Sequence, residues 1–133
     1  MKSETKWDHR WFGIWKESGP KYSSCPSIYS FIDPEVNKLY DVPRLTRYLD
    51  TAHVVATTSR HAFPCVITGE KFDGSLSCRT DGVWLWWDDL THYIREHGLI
   101  LPDGMLKNIE NNNYVVPEVK EAEFSNLEWP PCW

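Results

Sequence analysis

Residues 80–89 read TDGVWLWWDD, and this stretch narrows the possible folds more than any other in the chain. Trp84, Trp86 and Trp87 fall within four residues. An indole is costly to expose and hard to bury whole, because its ring N–H needs an acceptor. The preceding SLSCRT alternates in polarity, and Asp81-Gly82 is a favoured pair for a two-residue hairpin turn. The pattern predicts a β-hairpin with Thr80 opposite Val83, Cys78 opposite Leu85 and Leu76 opposite Trp87. These six residues share one mostly apolar face, expected to point to the core. Ser77 and Arg79 lie on the other face, opposite Trp86 and Trp84, and Arg79 is placed to stack over Trp84 as a cation–π pair. Two tryptophans therefore sit on a polar face. Either the chain's own arms cover them, or they are offered to something else.

Other segments supply the remaining elements. In DVPRLTRYLDTA, Asp41 is a cap, Pro43 sits in the first turn, and Leu45, Tyr48, Leu49 and Ala52 recur on one helical face. Residues 26–33, 53–59 and 64–68 read as short strands. Asp88 is expected to cap a helix with Leu90, Tyr93, Ile94 and His97 on one side, stopped by Gly98. PDGMLKNIENNN is a second short helix with Met105, Leu106 and Ile109 as its stripe. The expected fold class is α+β, an antiparallel sheet of about four strands with about three helices packed on it. At 133 residues the chain suits one domain and can bury a core without disulfides or metal. Residues 1–26 form a Trp-rich N-terminal arm that reads as irregular. Residues 118–133 form an acidic, Pro-ended tail whose Phe124, Leu127, Trp129 and Trp133 are available to pack back.

The formal net charge of −5 lacks the electrostatic footprint that carries nucleic-acid affinity. It suits a basic protein partner, and equally serves solubility. The N-terminus has no apolar run of signal-peptide type, and no stretch approaches the ~20 apolar residues of a membrane helix. A cytoplasmic protein without membrane contact is expected. Cys25, Cys65, Cys78 and Cys132 are far apart, with no CxxC pair, and are expected to stay reduced.

Chemical motifs are scarce. His9, His53, His61, His92 and His97 form no HxH, HxxxH or HExxH pattern. His92 and His97, five apart on a helix, are expected to point in different directions. No metal or cofactor is therefore predicted. Cys65 and Cys78 fall in predicted strands as small buried residues, with His53 or His61 as the candidates to approach one of them. There is no G-x-S-x-G, P-loop or GxGxxG, and TGEKFDG is a turn rather than a phosphate cradle. The carboxylates of Asp88 and Asp89 open a helix, where capping explains them. These features favour a protein that is not an enzyme.

The block SLSCRTDGVWLWWDDLTHYIREHGLILPDGMLKNIENNNYVVPEV resembles a run in small cytosolic bacterial proteins. In these, S/T-D-G-x-W-x-W leads into a D-L-x-x-Y helix, then L-P and a second short helix. RLTRYLDTAHVVATTSR and FPCVITGE are similar to the segments that precede that run, so the resemblance spans roughly residues 25–120. Small acidic proteins of this kind are similar to immunity proteins, which bind and block a bacterium's own toxin. The resemblance implies a non-enzymatic inhibitor and supplies no active residues. The expected partner is a cognate protein toxin with a basic active-site cleft. The expected contact set is Trp84, Trp86 and Arg79, with Asp88, Asp89, Glu121 and Glu123 as rim charges. One alternative is a small-molecule or carbohydrate-binding module that stacks ligands on the same tryptophans. Another is an enzyme with an unrecognised cysteine or histidine centre.

Overall fold

The computed structural model describes residues 7–33, 35, 40–61, 64–71 and 75–130, with 58–61 and 75 as backbone only. Cys132, Trp133 and the His61 side chain lie outside the described residues. The hairpin forms where the alternation predicts, from β3 (Ser75–Thr80) and β4 (Leu85–Trp87). Its register differs: Cys78 faces Trp87, Arg79 faces Trp86 and Thr80 faces Leu85. The connection is thus four residues, 81–84, instead of two. Asp81 is the reason. Its Oδ1 accepts from the backbone N–H groups of Val83 and Trp84, at 3.0 and 2.9 Å. Thr80 Oγ1 accepts from Gly82 N–H and donates to the Trp84 carbonyl. In this turn only Gly82 needs a positive φ, 96°. The shift is by two residues, so each side chain keeps its predicted face.

The sheet has four strands in the order β1-β4-β3-β2. β2 (His53–His61) runs antiparallel to β3, and β1 (Trp11–Phe12) lies parallel beside β4. The fold is α+β with a mostly antiparallel sheet, and its parallel edge is the buried pair Trp11–Phe12 of the N-terminal arm. Two predicted strands are absent. Residues Ile28–Phe31 form a 3-10 helix, opened by Ser27, whose hydroxyl accepts from Tyr29 N–H and donates to Glu17. Such local bonds compete with a strand ladder. Residues 64–70 form a closed turn, with Gly69 N–H donating to the Cys65 carbonyl and Cys65 N–H to the Glu70 carbonyl, both at 2.8 Å.

The helices are α1 (Val42–Thr51), α2 (Leu90–His97) and α3 (Asp103–Asn111). Leu45, Tyr48 and Leu49 of α1, Leu90, Tyr93 and Ile94 of α2, and Met105 and Ile109 of α3 pack with Phe12, Trp15, Trp84 and Trp86. On the other side of the sheet, Leu76, Cys78, Leu85 and Trp87 pack with Trp11, Ile14, Cys25 and Leu127, flanked by Tyr22 and Phe124. Both faces are therefore covered at β1 and β4 and along most of β3, while β2 keeps exposed residues such as His53, Val54 and Thr57. The helices cover the face expected to be polar, and the two terminal segments cover the other. Arg79 is accommodated because its guanidinium donates to the carbonyl of Ala52, the C-cap of α1, and pairs with Asp88. A helix-end carbonyl needs such a donor. The Trp86 ring N–H donates to the Leu49 carbonyl in the same last turn, at 3.1 Å. Cys65 and Cys78 are free thiols. Among the described residues, no helix is long and apolar enough to cross a membrane.

Asp81 also reaches into the helical layer. It is 2% exposed, and its Oδ2 accepts from the Tyr48 hydroxyl at 2.6 Å and from the Asn108 amide at 2.8 Å. Asn112 in turn donates to the Tyr48 oxygen at 2.9 Å. Asp81→Ala strands several of these groups at once. Each stranded buried polar group costs about 1–3 kcal/mol, so a loss of at least about 3 kcal/mol is expected. Tyr48→Phe should cost less, about 1 kcal/mol. Urea unfolding checks both, and an Asp81→Ala midpoint equal to wild type would contradict the network.

Candidate functional site

The predicted contact set divides under the structure. Trp84 and Trp86 are each 1% exposed, which corrects the expectation that they offer a surface. Helix α3 lies on Trp84, where a Cβ at Gly104 would sit 3.4 Å from the ring. Arg10, not Arg79, lies over the Trp84 ring, 5.4 Å from its centroid. Arg79 and Asp88 pair with each other at a partly buried position. Asp88 does not cap α2. Asp89 occupies the N-cap position, yet its side chain makes no capping bond. Capping therefore does not explain these two carboxylates. Glu121 and Glu123 are exposed on a 3-10 helix, Glu121–Asn126. With Glu118, they form no ion pair among the described residues. This tail crosses the hairpin tip: a Cβ at Gly82 would lie 3.4 Å from Val119 and 3.9 Å from the Glu123 carboxylate. Val83 beside it is 47% exposed.

Asp89 lines a small cleft with Gly13, Ile14, Tyr22 and Trp87. Its Oδ1 is buried without a hydrogen-bond partner among the described residues. Burial and the adjacent Asp88 carboxylate push its pKa up to about 7. A carboxyl group that keeps a proton near neutrality is a departure that a structural aspartate rarely shows.

The third arrangement was not expected. Cys65, His92 and His97 place their ligand atoms all within 4.8 Å of one another. Cys65 Sγ and His97 Nε2 are 3.6 Å apart. The two imidazoles meet with ring centroids 5.3 Å apart at 68°. Five residues on a helix place two positions roughly 140° apart, which is why the sequence suggested divergence. Both rings instead flank Tyr93 and close over the 64–70 turn, with ring contacts of 5.1 Å from His92 to Tyr93 and 6.0 Å from Tyr93 to His97. The Tyr93 oxygen accepts from Val66 N–H at 3.0 Å, so it fixes the turn against α2. Burial and the neighbouring His97 hold the His92 imidazole below its ordinary pKa. Of the imidazoles the sequence offered to the cysteines, the His53 ring rests on Phe124, at 5.2 Å, and the His61 side chain lies outside the described residues. The constellation joins a loop thiol to two helical imidazoles. Its chemistry is that of a soft-donor ligand set or a thiol–imidazole pair.

No family model, no curated protein and no solved structure matches the chain.

The Asp89 carboxyl has a consequence for stability. The folded state holds its proton up to about pH 7, whereas an unfolded chain releases it near pH 4. Stability should therefore fall as pH rises through that window and level off above it. Asp89→Asn should remove this decline and raise stability at pH 7.5 by about 1–2 kcal/mol, a value discounted for partial exposure of the residue. Urea midpoints of both proteins at pH 5 and pH 7.5 give the comparison. Parallel pH profiles would show that Asp89 is not the titrating group.

Proposed function

We propose that this protein is a non-enzymatic inhibitor, an immunity protein that binds a protein toxin and occludes a basic active-site cleft. The observation that carries this reading is that Glu118, Glu121 and Glu123 are exposed without an ion pair among the described residues, on a tail whose Val119 and Glu123 approach Gly82 at the hairpin tip, next to the exposed Val83. Carboxylates left free of internal partners are available to a basic surface, and complementary charge speeds encounter. The buried rings of Trp84 and Trp86 give up the role of anchor. Val83 and Trp129, 47% and 39% exposed, are the apolar groups on the hairpin tip and tail that take it. Asp88 contributes less than Glu121 and Glu123, because Arg79 already neutralises it. In this reading the protein acts in the cytoplasm, and neither nucleic acid nor a membrane is its target. A carbohydrate module has less support, since it needs a stacking platform and Trp129 is the one exposed indole among the described residues.

Cross-linking and affinity capture from the native host should yield a stoichiometric basic protein that kills cells when expressed alone and spares them when co-expressed. Absence of such a partner rejects the inhibitor reading. With the partner in hand, Glu121→Lys together with Glu123→Lys should slow association by about 10-fold at low salt and flatten its salt dependence, with dissociation changed less. An unchanged association rate rejects this face as the docking surface.

A further inference from the structure

We propose that Cys65, His92 and His97 form a binding site for a zinc-class divalent transition-metal ion, with a fourth coordination position left to water. Three independent features lead there.

The first is donor geometry. Zinc bonds of about 2.3 Å to sulfur and about 2.05 Å to nitrogen, at a tetrahedral angle, place those donors about 3.6 Å apart. Cys65 Sγ and His97 Nε2 stand 3.6 Å apart, and the His92 donor lies within 4.8 Å of both. A complete tetrahedral set needs the His92 donor about 3.3 Å from that of His97 and about 3.6 Å from the sulfur. The second is donor type. One sulfur and two imidazole nitrogens suit zinc and its neighbours, and exclude magnesium and calcium, which take oxygen ligands.

The third is support. Cys65 is 2% exposed and is held by its own backbone, with its carbonyl bound to Gly69 N–H and its N–H to the Glu70 carbonyl. The phenol of Tyr93 fastens that turn to α2 through Val66. His97 is the last residue of α2, and Gly98 ends the helix in the left-handed conformation with its N–H on the Tyr93 carbonyl. A helix C-terminus carries partial negative charge, which favours a cation. The ligands are thus set on a rigid helix end and a closed turn rather than on free loops.

Binding displaces the thiol proton of Cys65 to solvent and forms a sulfur–metal bond, with the imidazoles binding through neutral nitrogens. A thiol hydrogen-bonded to an imidazole also fits a separation of 3.6 Å, so metal titration must separate the two arrangements. The site is independent of the acidic strip, and its failure would leave the inhibitor reading untouched.

The test uses the full chain, stripped with chelator under reducing conditions and titrated with Co²⁺. One equivalent should bind and give visible d–d bands of tetrahedral intensity and a thiolate-to-cobalt charge-transfer band, all displaced by Zn²⁺. Cys65→Ser should abolish the charge-transfer band. Because Cys65 is buried, circular dichroism must show that this variant folds. His97→Gln and His92→Gln, at half-buried positions, give a second route. Each should weaken binding at least about 100-fold, the upper end of what loss of an outer-shell partner costs. His53→Gln, outside the cluster, should bind like wild type. No saturable binding overturns the proposal and leaves a hydrogen-bonded pair. A charge-transfer band that survives Cys65→Ser, or affinity indifferent to both histidine variants, overturns it equally.

Discussion

The structure depends on one buried carboxylate. Asp81 takes four hydrogen bonds, at 2.6 to 3.0 Å, from groups on three elements: two backbone N–H groups of the hairpin turn, the Tyr48 phenol of α1 and the Asn108 amide of α3. A buried carboxylate without such donors costs several kcal/mol. The donors thus have to arrive together, and the turn, the register of β3 on β4 and the seating of two helices become a single condition. Returning to a two-residue turn would pair Thr80 with Val83 and draw Trp84 into the ladder. Its N–H would then leave Oδ1 and Asp81 would leave the helical layer. Local turn preference for Asp-Gly loses to a network that spans the fold, which is how tertiary context ordinarily overrides propensity.

The same network explains which parts of the fold were legible in the sequence. The helices were, because caps and a period of 3.6 are local: Asp41 accepts from Arg44 N–H, and Gly98 ends α2 in the left-handed conformation. The assignment of Leu85 and Trp87 to one face and Trp86 to the other was also legible, because a period of two survives a register shift of two. What the alternation concealed is that β4 and the β3 positions beside it are covered on both faces. Arg79 and Ser77 marked their side as polar. Yet Arg79 serves a helix-end carbonyl and Asp88, while Ser77 shares a hydrogen bond with Thr57 on β2. A polar residue in a strand reports a polar partner, and that partner need not be water. Trp86 makes the same point, since its acceptor is the Leu49 carbonyl, 37 residues away in sequence.

The candidate site was less legible, for a related reason. Glu121 and Glu123 could be read directly, because an exposed acidic run on a tail has little else to do. The cysteine–histidine cluster could not be found by spacing. Its thiol comes from a segment whose composition, PCVIT, suggests a strand, and its imidazoles sit five apart on a helix. The segment closes into a turn because Gly69, at φ 77°, lets its N–H reach back to the Cys65 carbonyl. Gly69, in the stretch TGEKFDG read as a turn, was the local signal that the chain reverses there. The rest depends on α2 packing beside that turn through Tyr93, a contact between residues 27 apart.

The two sites differ in how they relate to the fold. The acidic strip is on the tail, joined to the hairpin by Val119 and the close approach at Gly82, and its carboxylates cost little to leave in water. In the proposed inhibitor its value would lie in encounter rates, which depend on charge and tolerate small displacements. The thiol–imidazole cluster has the opposite character. Cys65 and His97 stand 3.6 Å apart on a closed turn and a helix end, so part of the ordering cost of binding is met when α2 and the 64–70 turn fold. A bound ion would then stabilise the folded state in proportion to the logarithm of its free concentration. It would do so by clamping the turn that carries Cys65 to the end of α2. That turn is held to α2 by the Tyr93 phenol on Val66 N–H and by packing of Val66 and Ile67 on the core, and a cross-link through Cys65 would add to both.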